Sequence, residues 1–396
     1  MENSLWIAVP TYWTHPAAKP GPETTVFDHP TPLDEAGTLA RTLESFTKLR
    51  GKFKVLVVAA AAHPGLGAAV HARVETLLRP FAGRLELYLA SPASLAALND
   101  GLPESVLSLD SYGNIRNVQL AVPYALGASA VVGIDDDEVI PDPDFLDHPA
   151  RHVAAGVGGM AGPYFDANGQ WRIGGAEELE AEPNIFIKKN FFMNRAIGKA
   201  MAGAGADGLA DSNVAFGGDM VMSRSTIART CHDPYIPRGE DYDYVINAAM
   251  DGIFWKFCPA MSIVHLPPDS TGSQAGDRAS KLIADIRRFI YMREKLRLHG
   301  ELLPQERFDP GYLMPYPGPY AAPGLDLPAE GVRALDAKYP EFRAGGGSPE
   351  ALVREAVETA QVKAREFFAY RERWRAAMKA AAASPEFRAA AGALRL

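Results

Sequence analysis

The stretch VVGIDDDEVI, residues 131–140, decides how the first half of the chain is read. Small and β-branched residues lead into Asp135, Asp136, Asp137 and Glu138. The apolar run has the length and composition of a buried strand, and the acidic run stands where that strand should end. Adjacent carboxylates repel, so such a cluster takes up protons, separates, or holds a cation. In an extended segment Asp135 and Asp137 project to one side and Asp136 to the other. The resulting Asp-x-Asp is a pair of hard oxygen ligands of the kind magnesium and manganese take. One carboxylate would hold a metal that bridges a diphosphate, the other a ribose hydroxyl. A solvated acidic turn before PDPDFL is the plain alternative.

Outward from this stretch, strand-like and helix-like segments alternate. LWIAVP (5–10), FKVLVVAAAA (53–62), RLELYLAS (84–91) and SAVVGIDDD (129–137) read as strands. DEAGTLARTLESFTKLR (34–50), GAAVHARVETLLRPF (67–81) and GNIRNVQLAVPYALGA (113–128) read as helices, the last with a kink or break expected at Pro123. The alternation predicts an α/β fold, a Rossmann-type mostly parallel sheet with helices on both faces. Ligands bind such sheets at the carboxyl ends of the strands, where the aspartates stand.

The second half is less regular. MAGPYFDANGQWRI (160–173) reads as a hairpin turning at Asn168-Gly169. Residues 198–212 are Gly/Ala-rich and read as a loop or short helix. FGGDMVMSRSTI (216–227) is a strand, RGEDYDYVINAAMDG (238–252) a helix, IFWKFCPAMSIVHLPP (253–268) a strand plus loop, and SKLIADIRRFIYMREKLRLHG (280–300) a long helix. This divides the chain into an α/β domain over 1–300, with halves 1–150 and 151–300, a Pro-rich linker or wrapping arm over 301–347, and a C-terminal helical extension over 348–396. In the extension a helix with Pro349 in its first turn runs to about Ala383, with an apolar stripe through Val353, Ala360, Phe367, Trp374 and Met378.

The totals narrow the function. The formal charge of −8 argues against a general nucleic-acid binder. Two cysteines, Cys231 and Cys258, give no disulfide framework. No signal peptide or membrane-length apolar run is read, so a cytoplasmic chain is expected, with peripheral attachment to the inner membrane surface as an option for the basic C-terminal helix. The same helix is expected to pack on its own domain or to form a homodimer.

Two further segments bear on the acidic cluster. RGEDYDY (238–244) brings Glu240, Asp241 and Asp243 to a helix N-terminus, where acidic side chains are favoured by the dipole alone. His265 ends the apolar run of SIVHLPP. Taken in order, these segments resemble nucleotide-sugar glycosyltransferases of the GT-A fold, most closely family 2. The likeness runs over residues 5–295 through VPTYW, VVGIDDDEVIPDPDFL, FGGDMVMSR, RGEDYDYVINAAMDG and VHLPP.

The resemblance implies a metal-dependent transfer from a nucleoside-diphosphate sugar to a carbohydrate or small hydroxylated acceptor, with inversion, aided by Mn2+ or Mg2+. Asp137 would bind the metal, with His265 and Asp135 as further ligands and Asp135 also near ribose or sugar. Asp241 would be the base and Glu240 would orient the acceptor. Pro10, Thr11 and Tyr12 would border the base, Arg116, Asn117 and Asp136 would lie near the donor, and Arg278 and Lys281 near the diphosphate. The segment PDSTGSQAGDR (268–278) is a candidate lid. Tyr164, Trp171, Arg172, Gly217, Gly218 and Asp219 would line the acceptor side. The sequence departs from the family after the second strand, where VVAAAAHPG lacks the aspartate that commonly holds the base. An insertion over 14–32 also stands beside the nucleotide side.

Three other readings compete. Gly65-x-Gly67 after a strand, with Glu86 downstream, suggests an NAD(P)-dependent oxidoreductase, but Val70 stands where a third glycine is needed. A metal-dependent hydrolase could draw on His15, His29, His63, His71, His152, His232 and His265, none of which is spaced from another of these as His-x-x-x-His. A non-catalytic sugar-binding scaffold is the third.

Overall fold

The computed structural model describes residues 4–16, 27, 30–267, 277–306 and 308–396. Among these residues the strands are β1 (Leu5–Thr14), β2 (Thr31–Pro32), β3 (Phe53–Ala61), β4 (Leu87–Ala90), β5 (Ala130–Gly133), β6 (Glu138–Val139), β7 (Gly159–Ala161), β8 (Tyr164–Phe165), β9 (Ala210–Asp211), β10 (Met220–Ser223), β11 (Lys256–Phe257) and β12 (Ile263–His265). A large sheet has the order β4-β3-β1-β5-β10-β7-β11-β9, with β2 beside β1, and β6-β12-β8 form a small second sheet. The α/β architecture expected from the alternating segments is present. Pairing is parallel from β4 to β5 and antiparallel on both sides of β10, so the sheet is mixed.

The apolar runs are continuous because both faces of the sheet are covered. Trp6, Ala8, Leu56 and Val58 pack into one core, and Ile7, Val9, Val55 and Val57 into the other. Strands β3 and β4 are added on one side of β1, and β5 on the other, which makes β1 the switch point of the sheet. β1 pairs with β3 as far as Trp13↔Ala61 but with β5 only as far as Ala8↔Gly133. A crevice therefore opens past the end of β5, before β2 joins at Trp13. Pro10, which has no N–H to give, lies just beyond that last pair.

Several boundaries differ from the sequence reading. The strand over 129–137 stops at Gly133, and Asp136 and Asp137 lie in a turn closed by Glu138 N–H donating to the Asp135 carbonyl at 3.2 Å. The side-alternation expected of Asp135 and Asp137 does not apply, because the segment is not extended. The segment 160–173 is not a two-strand hairpin: β7 belongs to the large sheet, whereas β8 pairs in parallel with β12. The Asn168-Gly169 turn does form, with Gly169 at φ +74° and Asp166 accepting from the N–H groups of Asn168 and Gln170. Residues 198–202 finish a helix that starts at Lys189. The helix Tyr112–Ala125 runs through Pro123, which falls in its last turn.

The described residues of 304–328 do not form an extended arm. Short 3-10 turns and the helix Leu327–Lys338 alternate, and Tyr316 and Tyr320 are buried against the helix Asp277–Leu302. The C-terminal helix runs Pro349–Ala383, with Ser348 accepting from the Ala351 N–H at its start. Its stripe is buried within the chain: Trp374 Nε1 donates to the Ile227 carbonyl at 2.9 Å, and the Tyr370 hydroxyl donates to the Val106 carbonyl at 2.8 Å. That apolar face is therefore not free to form a homodimer. No helix among the described residues is long and apolar enough to cross a membrane.

Candidate functional site

The crevice at the carboxyl ends of β1 and β5 is a cleft of about 590 Å³. Its walls include Tyr12, Arg116, Asp135, Asp137, Glu240, Asp241 and His265. The three aspartates are separated by three different partners. Arg116 Nη2 donates to Asp135 Oδ1 at 2.7 Å. The Thr11 hydroxyl donates to Asp136 Oδ2 at 2.6 Å, and the Thr42 hydroxyl donates to the Asp136 carbonyl. His265 Nε2 donates to Asp137 Oδ2 at 2.9 Å. Burial, with Asp137 and Asp135 adding to it, pushes the Asp136 carboxyl up to about 7 against the opposing hydrogen bond from Thr11.

Glu138, which carried no role in the sequence reading, is buried behind the turn and accepts from the Asp135 N–H at 2.8 Å. Burial first, then Asp135, raises its carboxyl well above the usual range. Gly218 makes room for it, since a Cβ there would come within 1.6 Å of Glu138 Oε2.

The second acidic segment enters from the other side. Gly239 caps the helix Glu240–Met250 at φ +72°, and a Cβ there would meet Arg288 Nη1 at 1.9 Å. Glu240 Oε1 accepts from Arg116 Nε at 3.4 Å, so one guanidinium joins Glu240 to Asp135. Burial raises the carboxyls of both Glu240 and Asp241, with Arg116 opposing it at each and Arg288 also opposing it at Asp241. Asp243 turns away from the cleft. It pairs with the fully buried Lys295, which also holds Asp233 at 3.0 Å, and this cluster fastens the helix to Asp277–Leu302.

The other expected residues divide clearly. Tyr12 lines the cleft with its ring 4.6 Å from Phe27 and 5.4 Å from Tyr112. Tyr164 stacks on His265 at 4.8 Å, fixing the imidazole plane. Trp171, Arg172, Gly217, Gly218 and Lys281 also line the cleft, with the Arg172 guanidinium 5.0 Å over the Trp171 ring. Asn117 does not reach it. Its amide is buried, donating to the His232 carbonyl and the Tyr370 hydroxyl. Asp219 lies beneath the cleft at φ +71°, with no hydrogen-bond partner for either carboxylate oxygen, and burial raises its carboxyl. The candidate lid over 268–276 and the side chain of Arg278 lie outside the described residues. Lys189, Arg238 and Arg288 add cations that the sequence reading did not find; each comes from a helix or loop with no distinguishing pattern.

Carboxylate and imidazole donors at Asp137 and His265 suit a divalent metal. Among the described residues no third His, Cys, Asp or Glu atom joins them within 4.8 Å of both. A metal held there would complete its shell from a ligand's oxygens and water, the habit of magnesium with phosphates.

No family model matches the sequence, and no curated protein matches it. Solved structures do show similarity. The mannosyltransferase PcManGT of Pyrobaculum calidifontis, in complex with GDP-Man and Mn2+, is 16% identical with a TM-score of 0.44, over 94% of this chain and 85% of that one. Residues 1–349 of S. aureus TarS in complex with UDP-GlcNAc are 11% identical with a TM-score of 0.41, over 92% of each chain. A mycobacterial protein is 14% identical with a TM-score of 0.39, over 72% and 73%. The overlap is partial, and the geometry of the cleft carries the functional reading.

Proposed function

We propose that this chain is a metal-dependent glycosyltransferase of the GT-A type, moving a sugar from a nucleoside-diphosphate sugar to an acceptor hydroxyl with inversion. The observation that supports it is one cleft, at the switch point of the sheet, holding two separate acidic centres. The Asp137–His265 pair suits a metal and a diphosphate, while Asp241 and Glu240 are half-buried or buried carboxyls that burial raises, as suits a general base.

When bound, Mn2+ or Mg2+ would neutralise charge developing on the departing diphosphate. Asp137 and His265 would hold it, and Asp135, oriented by Arg116, would serve the ribose or sugar. Tyr12, with Tyr112 and Phe27 behind it, offers an aromatic surface to the base, beside Thr11 and Pro10. Lys281, on the cleft wall, is the cation for the phosphates, and the sequence resemblance alone adds Arg278. Asp241 takes the acceptor's proton at a carboxylate oxygen as the acceptor oxygen bonds to the anomeric carbon and the carbon–oxygen bond to phosphate breaks. Glu240, fixed by Arg116, orients the acceptor against Tyr164, Trp171, Arg172 and Gly217.

The test is thermal stabilisation and donor hydrolysis across a panel of nucleotide sugars with manganese, magnesium or chelator, wild type beside Asp137→Ala. Stabilisation by one donor, only with metal and only in wild type, is expected. Response to a nicotinamide cofactor or a phosphoester instead of any sugar nucleotide overturns the proposal.

A further inference from the structure

Outside the cleft, one cluster of ligand-type side chains is left without a role. His148 and His152 stand four residues apart on the helix Asp147–Ala154, hence on one face of it. Cys258, directly after β11, comes up beneath them. One ligand atom from each of the three lies within 4.8 Å of the others. None of the three lines the cleft.

Two observations separate this cluster from a chance meeting, an unpartnered ligand atom and an opening to solvent beside it. The Nδ1 of His148 is buried and has no hydrogen-bond partner, an unusual cost for a polar atom. Cys258 is 1% exposed, and burial raises its thiol, so a metal would have to displace its proton. His152 is 5% exposed and stands on the same helix face as His148. His148 also faces an open surface depression, bordered by Asp144, Asp147 and Arg151, that gives an ion access.

We propose that His148, His152 and Cys258 form a second metal site, for zinc, distinct from the cation site of the cleft. The donor set decides the metal. Thiolate and imidazole favour zinc over the hard magnesium and manganese ions. In a tetrahedral zinc site the ligand atoms lie about 3.3–3.8 Å apart, from metal–ligand lengths of about 2.0–2.3 Å. The ligand atoms of the present cluster, within 4.8 Å of one another, would close to that spacing on binding. Binding releases the Cys258 proton to solvent and leaves a fourth position for water. Arg151 Nη2, 3.1 Å from His152 Nε2, opposes a bound cation, and its side chain is exposed to solvent. The bound ion would pin the helix Asp147–Ala154 to β11, joining the two halves of the sheet behind the cleft.

The experiment uses the full chain stripped of metal and titrated with Co2+, then Zn2+. One equivalent of cobalt should produce a thiolate-to-cobalt charge-transfer band in wild type and in Asp137→Ala, and no such band in Cys258→Ser. Zinc affinity, read by competition with a chromophoric chelator, should fall at least about 100-fold in His148→Gln, whose site on a surface helix leaves the fold intact. Absence of the band in wild type, its persistence in Cys258→Ser, its loss in Asp137→Ala, or equal zinc affinity of His148→Gln and wild type would each overturn the proposal. None of these readouts depends on sugar transfer, so the glycosyltransferase proposal stands or falls separately.

Discussion

Arg116→Met tests the electrostatic centre of the cleft. The guanidinium is 7% exposed and serves Glu240, 11% exposed, and Asp135, 32% exposed. Breaking a buried ion pair costs about 3–5 kcal/mol because the abandoned charge stays buried. The Asp135 arm is a third exposed and contributes less, so a loss of about 3 kcal/mol at pH 8 is expected. The pH dependence follows from Glu240. Its folded carboxyl is already raised by burial and Arg116 opposes that rise, so removing Arg116 raises it further. A carboxyl with a raised folded value costs stability as pH climbs from its unfolded value of about 4.3 through the folded one. The deficit of Arg116→Met should therefore be larger at pH 8 than at pH 5, by up to about 1.4 kcal/mol, because Glu240 in the wild type stands at about 7. Arg116→Lys should recover less than half of it, since one ammonium cannot reach both carboxylates. The assay is urea unfolding at both pH values. A loss below about 1 kcal/mol, equal at pH 5 and pH 8, would falsify the account of Arg116 as the group that neutralises both acids.

Other substitutions probe other parts of the structure. Gly218→Ala should cost about 1–3 kcal/mol and weaken donor binding, because the new methyl displaces the Glu138 carboxylate from the Asp135 N–H; unchanged melting would remove Glu138 from its supporting role. Asp136→Asn should stabilise the protein by about 1 kcal/mol or more at pH 8 and by less at pH 5, since the wild-type carboxyl, pushed up to about 7, costs stability as pH rises through that value. Equal urea midpoints at both pH values would contradict this. Trp374→Ala should cost about 3–5 kcal/mol and expose the C-terminal helix to limited proteolysis. Resistance equal to wild type would mean that the helix is held by other contacts.

Some of this protein was legible in its sequence. The apolar runs of β1, β3 and β5 are continuous because two faces are buried, and that pattern is local, so it can be read without coordinates. The helix Pro349–Ala383 is announced by Ser348, Pro349 and a stripe of 3.6 periodicity. The acidic residues at 135–137 and 240–241 also stood out, since like charges gathered at element ends call for partners. Which partner each one takes was not legible. Arg116, Thr11, His265 and Arg288 lie from 19 to more than a hundred residues away from the acids they serve, and no local pattern marks them. The failure at 134–137 has the same origin. The apolar run carries the expected strand up to the aspartates, but pairing of β5 with β1 ends at Gly133, and without a neighbour the chain is free to turn. Asn117 and Arg116 are adjacent on one helix, yet one faces the cleft and the other is spent on the C-terminal helix. The same holds for His148, His152 and Cys258: the two histidines share a helix face by their spacing, but only the closing of β11 onto β7 brings the sulfur to them. Composition and periodicity determined the layers of this protein. The long-range pairing of strands decided which side chains meet, because a contact across a hundred residues depends on the whole sheet and not on any segment of it.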